Sequence, residues 1–157
     1  MEFEEAMRIL AALEREEVDY VLVGAMAMAA QGLVRATRDL DLFVDPAAEN
    51  VERLRKALQQ VFPQDESIRE IRAEDLAGDY PAIQYVPPHG LYGIDILSRL
   101  GEAFSFEDIE WEERRVGETK IRVATPGMLI RMKRDTVRPQ DGIDARALRE
   151  RFGLKEE

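Results

Sequence analysis

Apolar residues recur at helical spacing from the start of the chain. Phe3, Ala6, Met7, Ile9, Leu10 and Leu13 are separated by acidic residues, which predicts an amphipathic helix over residues 3–16. The period then shortens. Residues 19–23 (Asp-Tyr-Val-Leu-Val) read as a buried strand stopped by Gly24, and residues 25–31 as a small, apolar helix ending at Gly32. After a basic connection, Arg35 to Arg38, a second strand covers residues 39–44 (Asp-Leu-Asp-Leu-Phe-Val) and closes at Asp45-Pro46. Val51, Leu54, Leu58 and Val61 predict a helix over 47–61, and residues 64–81 show no clear period. Strands at 82–86 and 92–97 flank Pro87-Pro88-His89-Gly90, which suits a hairpin with a four- or five-residue loop and makes His89 an exposed loop residue. A second hairpin fits 112–124. Thr125-Pro126 opens a helix in the N-cap and first-turn arrangement, and a last helix begins near Asp141. Interleaved helices and strands followed by antiparallel pairs predict an α+β fold, a small mixed β-sheet flanked by helices, with further helices at the C-terminal end.

Composition narrows the chemistry. With 157 residues, 45% of them apolar and 34% charged, the chain can bury a core without disulfides or structural metal. It has no Cys, which excludes thiolate zinc sites and cysteine nucleophiles, and its one His leaves His-rich metal sites out. Carboxylates are plentiful: 32 Asp and Glu stand against 22 Lys and Arg, a net charge of −10. Oxygen ligation of a hard cation is therefore the chemistry most open to it. The charge is uneven, a net of −13 over residues 1–111 and +3 over 112–157. That division predicts two parts that face different things, a core over 1–111 and a β-hairpin with basic helices over 112–157 packed on it. No stretch approaches the roughly 18 apolar residues of a membrane span, and the start lacks the pattern of a secretion signal, so a cytoplasmic protein is expected.

Asp39 and Asp41 alternate along their strand with Leu40 and Leu42, so the two carboxylates leave one face. With 12 Asp in the chain, about one Asp-x-Asp is expected by chance, so the context has to carry the reading. Three features do. The strand is otherwise Leu, Leu, Phe and Val, where unpaired carboxylates are costly. Asp95 stands in a similar setting between Ile94 and Ile96, and a neighbouring strand would bring it to the same cation. Gly24 ends a strand and precedes a helix, so backbone N–H groups there can approach phosphate.

The run from Tyr20 through Gly24, Gly32, Arg35, Thr37 and Arg38 to Asp39-Leu40-Asp41 resembles the signature of the nucleotidyltransferase superfamily related to DNA polymerase beta. It is similar to the branch that includes the abortive-infection AbiEii toxins, and Gly93-Ile-Asp95-Ile-Leu matches the third carboxylate of that pattern. Thr125-Pro126, Lys133 and Asp141-x-x-Asp144 resemble the branch's C-terminal pattern. The resemblance implies a nucleotidyltransferase-like sheet and transfer of a nucleoside monophosphate from an NTP, such as ATP, to a hydroxyl on RNA (tRNA by analogy), a protein or a small molecule. It implies Asp39, Asp41 and Asp95 as catalytic metal ligands for two Mg²⁺ ions, with Mn²⁺ as a substitute. Gly24, Ala25, Thr37, Arg38 and Lys133 are the implied nucleotide-binding residues. An antitoxin partner or a homodimer is implied as well. Asp141 and Asp144 stay outside that core site, as caps or salt-bridge partners of the last helix.

Two positions depart from the pattern. Ala25 stands where the branch more often has Gly or Ser, so a hydroxyl donor to the triphosphate is missing, and Gln140 stands where it often has Lys. The departure at Ala25 keeps a second reading open, a catalytically degenerate domain that binds nucleotide or a partner on the same fold.

Overall fold

Tyr20–Val23 forms β1, four consecutive residues that are all buried, as expected of a strand covered on both faces. The structure, a computed structural model, describes residues 2–33, 39–77, 82–100, 104–134 and 139–154. Helix α1 spans Phe3–Arg15 and buries Ala6, Ile9, Leu10, Ala12 and Leu13 along one stripe. It ends in a Schellman turn, Val18 N–H donating to the Leu13 carbonyl at 3.0 Å. The left-handed residue of that turn is Glu17, at φ +54°, where glycine is usual.

Helix α2 (Gly24–Ala30) follows β1 without a linker, and β2 (Leu40–Val44) returns antiparallel to β1 with Val23 opposite Asp41. Helix α3 (Ala48–Val61) packs against α1 through Val51, Leu54, Ala57 and Leu58. Its buried Asn50 pins the strand ends. The Asn50 Oδ1 accepts from Asp19 N–H at 2.7 Å, and its Nδ2 donates to the carbonyls of Asp19 and Asp45 at 2.9 and 2.8 Å. The stretch without a clear period holds a 3-10 turn at Glu66–Glu70 and a short helix α4 at Ala73–Ala77; both lie next to α3 or the sheet edge, each burying a single aliphatic residue, Ile68 or Leu76. One side chain per turn leaves too little periodicity to read.

β3 (Ala82–Tyr85) and β4 (Ile94–Leu97) form the first hairpin. Its connection runs from Val86 to Gly93, longer than the turn residues suggested, because Tyr92 and Gly93 leave the ladder. A small ribbon that the sequence did not suggest pairs β5 (Arg99–Leu100) with β6 (Phe104–Ser105). β7 (Trp111–Val116) and β8 (Thr119–Ala124) make the second hairpin, and Thr125 caps α5 (Pro126–Arg134) as expected, its hydroxyl accepting from Met128 N–H at 3.2 Å. Helix α6 (Pro139–Phe152) packs against α5 and starts slightly before Asp141.

The six-stranded sheet has the order β3-β4-β2-β1-β8-β7. β2 and β4 are parallel, as are β1 and β8, and the other neighbours are antiparallel. The α+β class and the mixed sheet flanked by helices are therefore those read from the sequence. No described helix is long and apolar enough to cross a membrane.

Candidate active site

Parallel pairing of β2 with β4 sets Asp41 directly opposite Asp95, while Val23, the last residue of β1, faces Asp41 from the other side. Residues paired in register share a face, so one row across the sheet carries Gln84, Asp95 and Asp41. The two carboxyl groups are close enough to hydrogen-bond when one of them carries a proton, since an ionised carboxylate only accepts. Burial is the main cause that pushes the Asp41 carboxyl up to about 7, followed by the bond to Asp95 and the charges of Asp95 and Asp39; the Lys133 ammonium works the other way.

Asp39 precedes β2 and is held differently. Its Oδ1 accepts from the Gly93 N–H at 2.8 Å, and the next residue, Leu40, donates its N–H to the Gly93 carbonyl at 3.1 Å. Among the described residues no three His, Asp or Glu side chains are gathered into a ready metal cage. Asp39 leans toward Gly93, while Asp41 and Asp95 face each other. The donor chemistry nonetheless fits a hard cation: the carboxylates are all oxygen donors, crowded on adjacent strands, and a bound cation relieves the repulsion between them.

Gly24 is needed at this spot for a reason beyond a turn. Its φ is +72°, and a Cβ built there would lie 2.1 Å from the Asp41 Oδ2. The Asp41 carboxylate thus occupies the place of the missing side chain. Ala25 follows in the first turn of α2, partly exposed. Thr37 and Arg38, with Arg35, lie outside the described residues.

Lys133, near the end of α5, is nine-tenths buried, and its charge reaches Asp41. Its Nζ lies 3.1 Å from the Asp144 Oδ2 of α6, which is itself buried. The expectation that Asp144 caps or salt-bridges the last helix is met by this ion pair, in which Asp144 lies buried beside Ala145 and Leu148.

His89 is an exposed residue of the β3–β4 loop, as its sequence context suggested, and it makes specific contacts there. Its Nε2 is 2.9 Å from Glu5 Oε1 of α1, and its ring packs on Tyr92 and Phe62 at centroid distances of 4.9 and 6.2 Å.

Residues 8–153 match the family model described as the nucleotidyl transferase AbiEii toxin of type IV toxin–antitoxin systems. A comparison with curated proteins finds no match. Among solved structures, the lincosamide antibiotic adenylyltransferase LnuA aligns over 95% of this chain and 97% of its own, with a TM-score of 0.61 at 14% identity. An antigenic nucleotidyltransferase-like protein from Paracoccidioides brasiliensis aligns over 92% of this chain and 72% of its own, with a TM-score of 0.57 at 17% identity. The antibiotic-resistance factor ANT(2'')-Ia aligns over 96% and 83%, with a TM-score of 0.54 at 17% identity. At these identities the likeness is one of fold.

Proposed function

Because the chain belongs to the AbiEii family of nucleotidyltransferases, we propose that it transfers a nucleoside monophosphate from an NTP to an acceptor hydroxyl with the help of Mg²⁺. ATP is the first nucleotide to test; RNA such as tRNA, a protein or a small molecule are the acceptor classes. The last of these is the class named for LnuA, a lincosamide antibiotic adenylyltransferase. The observation that carries the reading is the Asp41–Asp95 pair, two half-buried carboxyl groups in register on parallel strands with the Gly24 turn packed against one of them.

In the proposed reaction the acceptor oxygen forms a bond to the α-phosphorus, the bond from that phosphorus to the β-phosphate breaks, and pyrophosphate leaves. Bound divalent cations supply neutralisation of charge on the attacking and leaving oxygens. Asp39, Asp41 and Asp95 would hold them. Asp95, next to the edge hairpin, accepts the proton of the acceptor hydroxyl. Lys133, oriented by Asp144, offers its ammonium to phosphate oxygens, and the backbone N–H groups at Gly24 and Ala25, together with Thr37 and Arg38, offer further donors. An antitoxin or a second copy of the chain as partner, and a cytoplasmic location, belong to the same reading.

Incubation with Mg²⁺, each α-labelled NTP and pooled tRNA, protein or small-molecule acceptors tests it. Label transfer by the wild type that is lost in Asp41→Ala supports transfer. Absence of transfer in every combination, with the wild type indistinguishable from Asp41→Ala, ends it. The missing hydroxyl at Ala25 favours the second reading, a degenerate binding domain, which predicts Mg²⁺-dependent NTP binding with no label transferred.

A further inference from the structure

We propose that His89 is a positioning residue: clasped to Glu5 of α1, it locks the β3–β4 loop so that the Gly93 N–H holds the Asp39 carboxylate. The inference rests on the reading of Asp39 as a cation ligand, and it adds residues that no motif marks.

The contacts form an unbroken path. The Leu91 N–H donates to His89 Nδ1 at 3.1 Å, which leaves the ring proton on Nε2, the atom that faces Glu5 Oε1 at 2.9 Å. The loop can therefore use both ring nitrogens at once, one within the loop and one to α1. Gly90, at φ +70°, closes the turn with its N–H on the Pro87 carbonyl at 2.9 Å. The ring is wedged between Phe62 of the α3 end and Tyr92 of the loop itself. Burial opposes ionisation of Glu5, but the bond from His89 and the charge of Arg8 prevail and hold its carboxyl below the usual range. Glu5 thus accepts from His89 as an anion, which makes the bond a strong one.

Four residues beyond His89, Gly93 is stapled at both ends, N–H to Asp39 Oδ1 and carbonyl to Leu40 N–H. The Gln84 amide folds over it, with Nε2 3.0 Å from where a Cβ would stand, so Gly93 cannot carry a side chain without moving Gln84. The N-terminal half of α1 and the start of β2, far apart in sequence, are in this way tied through one short loop. A carboxylate that ligates a cation needs such a fixed hydrogen bond to keep its remaining oxygen aimed.

The test uses the full chain as wild type, His89→Ala, Glu5→Ala and His89→Gln, the last retaining a side-chain N–H that can reach Glu5. Amide hydrogen exchange by NMR in the metal-free protein compares Gly93 with Leu22 in the sheet centre, and Mn²⁺ affinity is read by electron paramagnetic resonance. The expected result is selectively faster exchange at Gly93 in both alanine variants, Mn²⁺ binding weakened about tenfold, and recovery of both in His89→Gln. Unchanged Gly93 exchange, or exchange that rises equally at Leu22, overturns the proposal, as does selective loosening of Gly93 with undiminished Mn²⁺ affinity. Failure of the wild type to bind Mn²⁺ overturns the cation reading of Asp39 instead, and the exchange comparison still decides whether His89 holds the loop.

Discussion

Asp41 of β2 and Asp95 of β4 are direct partners across a parallel strand pair, and burial together with the neighbouring Asp95 pushes the Asp41 carboxyl up to about 7. A cation is the natural competitor for the proton that Asp41 takes up below that pH.

Stability should therefore fall with rising pH. The folded-state pKa of Asp41, about 7, lies above its ordinary 3.8, so the contribution is complete below about pH 4 and is lost as pH climbs through about 7. Asp41→Asn should flatten that slope and be more stable than the wild type above pH 7, by roughly 1–3 kcal/mol. Urea unfolding across this range checks it. Equal slopes in the two proteins would remove the assigned origin.

Gly24→Ala should be harmful twice over. The left-handed conformation costs an alanine roughly 1–2 kcal/mol, and the new methyl must displace the Asp41 carboxylate from its place 2.1 Å away. Lower stability and weakened Mg²⁺ binding together, read by urea unfolding and calorimetry, are expected. A loss of stability with undisturbed Mg²⁺ binding would mean that the carboxylate has another seat.

Much of this geometry was legible in the chain. Alternation of Asp39, Leu40, Asp41 and Leu42 in an otherwise apolar strand, with Gly24 at the end of the preceding one, was enough to mark carboxylates and a glycine that the fold brings together. Register was not legible: that Asp95 meets Asp41 rather than its neighbours is set by pairing of β2 with β4, strands separated by α3, α4 and β3. The partners of His89 and Asp144 were not legible either, because the acid that meets His89 and the lysine that meets Asp144 are brought by α1 and α5, and no local pattern marks them.

Asp144→Ala should cost roughly 3 kcal/mol, because it removes the buried carboxylate 3.1 Å from the largely buried Lys133 ammonium. Urea denaturation measures the loss. The double variant Lys133→Met with Asp144→Leu should recover much of it, whereas a double variant as unstable as the single would show that packing, rather than charge, is what Asp144 supplies.

Glu17→Gly should stabilise the fold by about 1 kcal/mol, since glycine adopts the φ of +54° at the end of α1 without the strain that a side chain meets. Thermal unfolding would show a higher midpoint. A lower one would mean that the Glu17 side chain contributes more than its backbone costs.

The central claim is that the Asp41–Asp95 pair holds a divalent cation together with a nucleotide. Calorimetric titration of a non-hydrolysable NTP into the wild type, with and without Mg²⁺, and into Asp95→Asn, tests it most directly. The account predicts binding that requires Mg²⁺ and is lost in Asp95→Asn, whose fold by circular dichroism is unchanged. Binding of equal strength in all three titrations would contradict it.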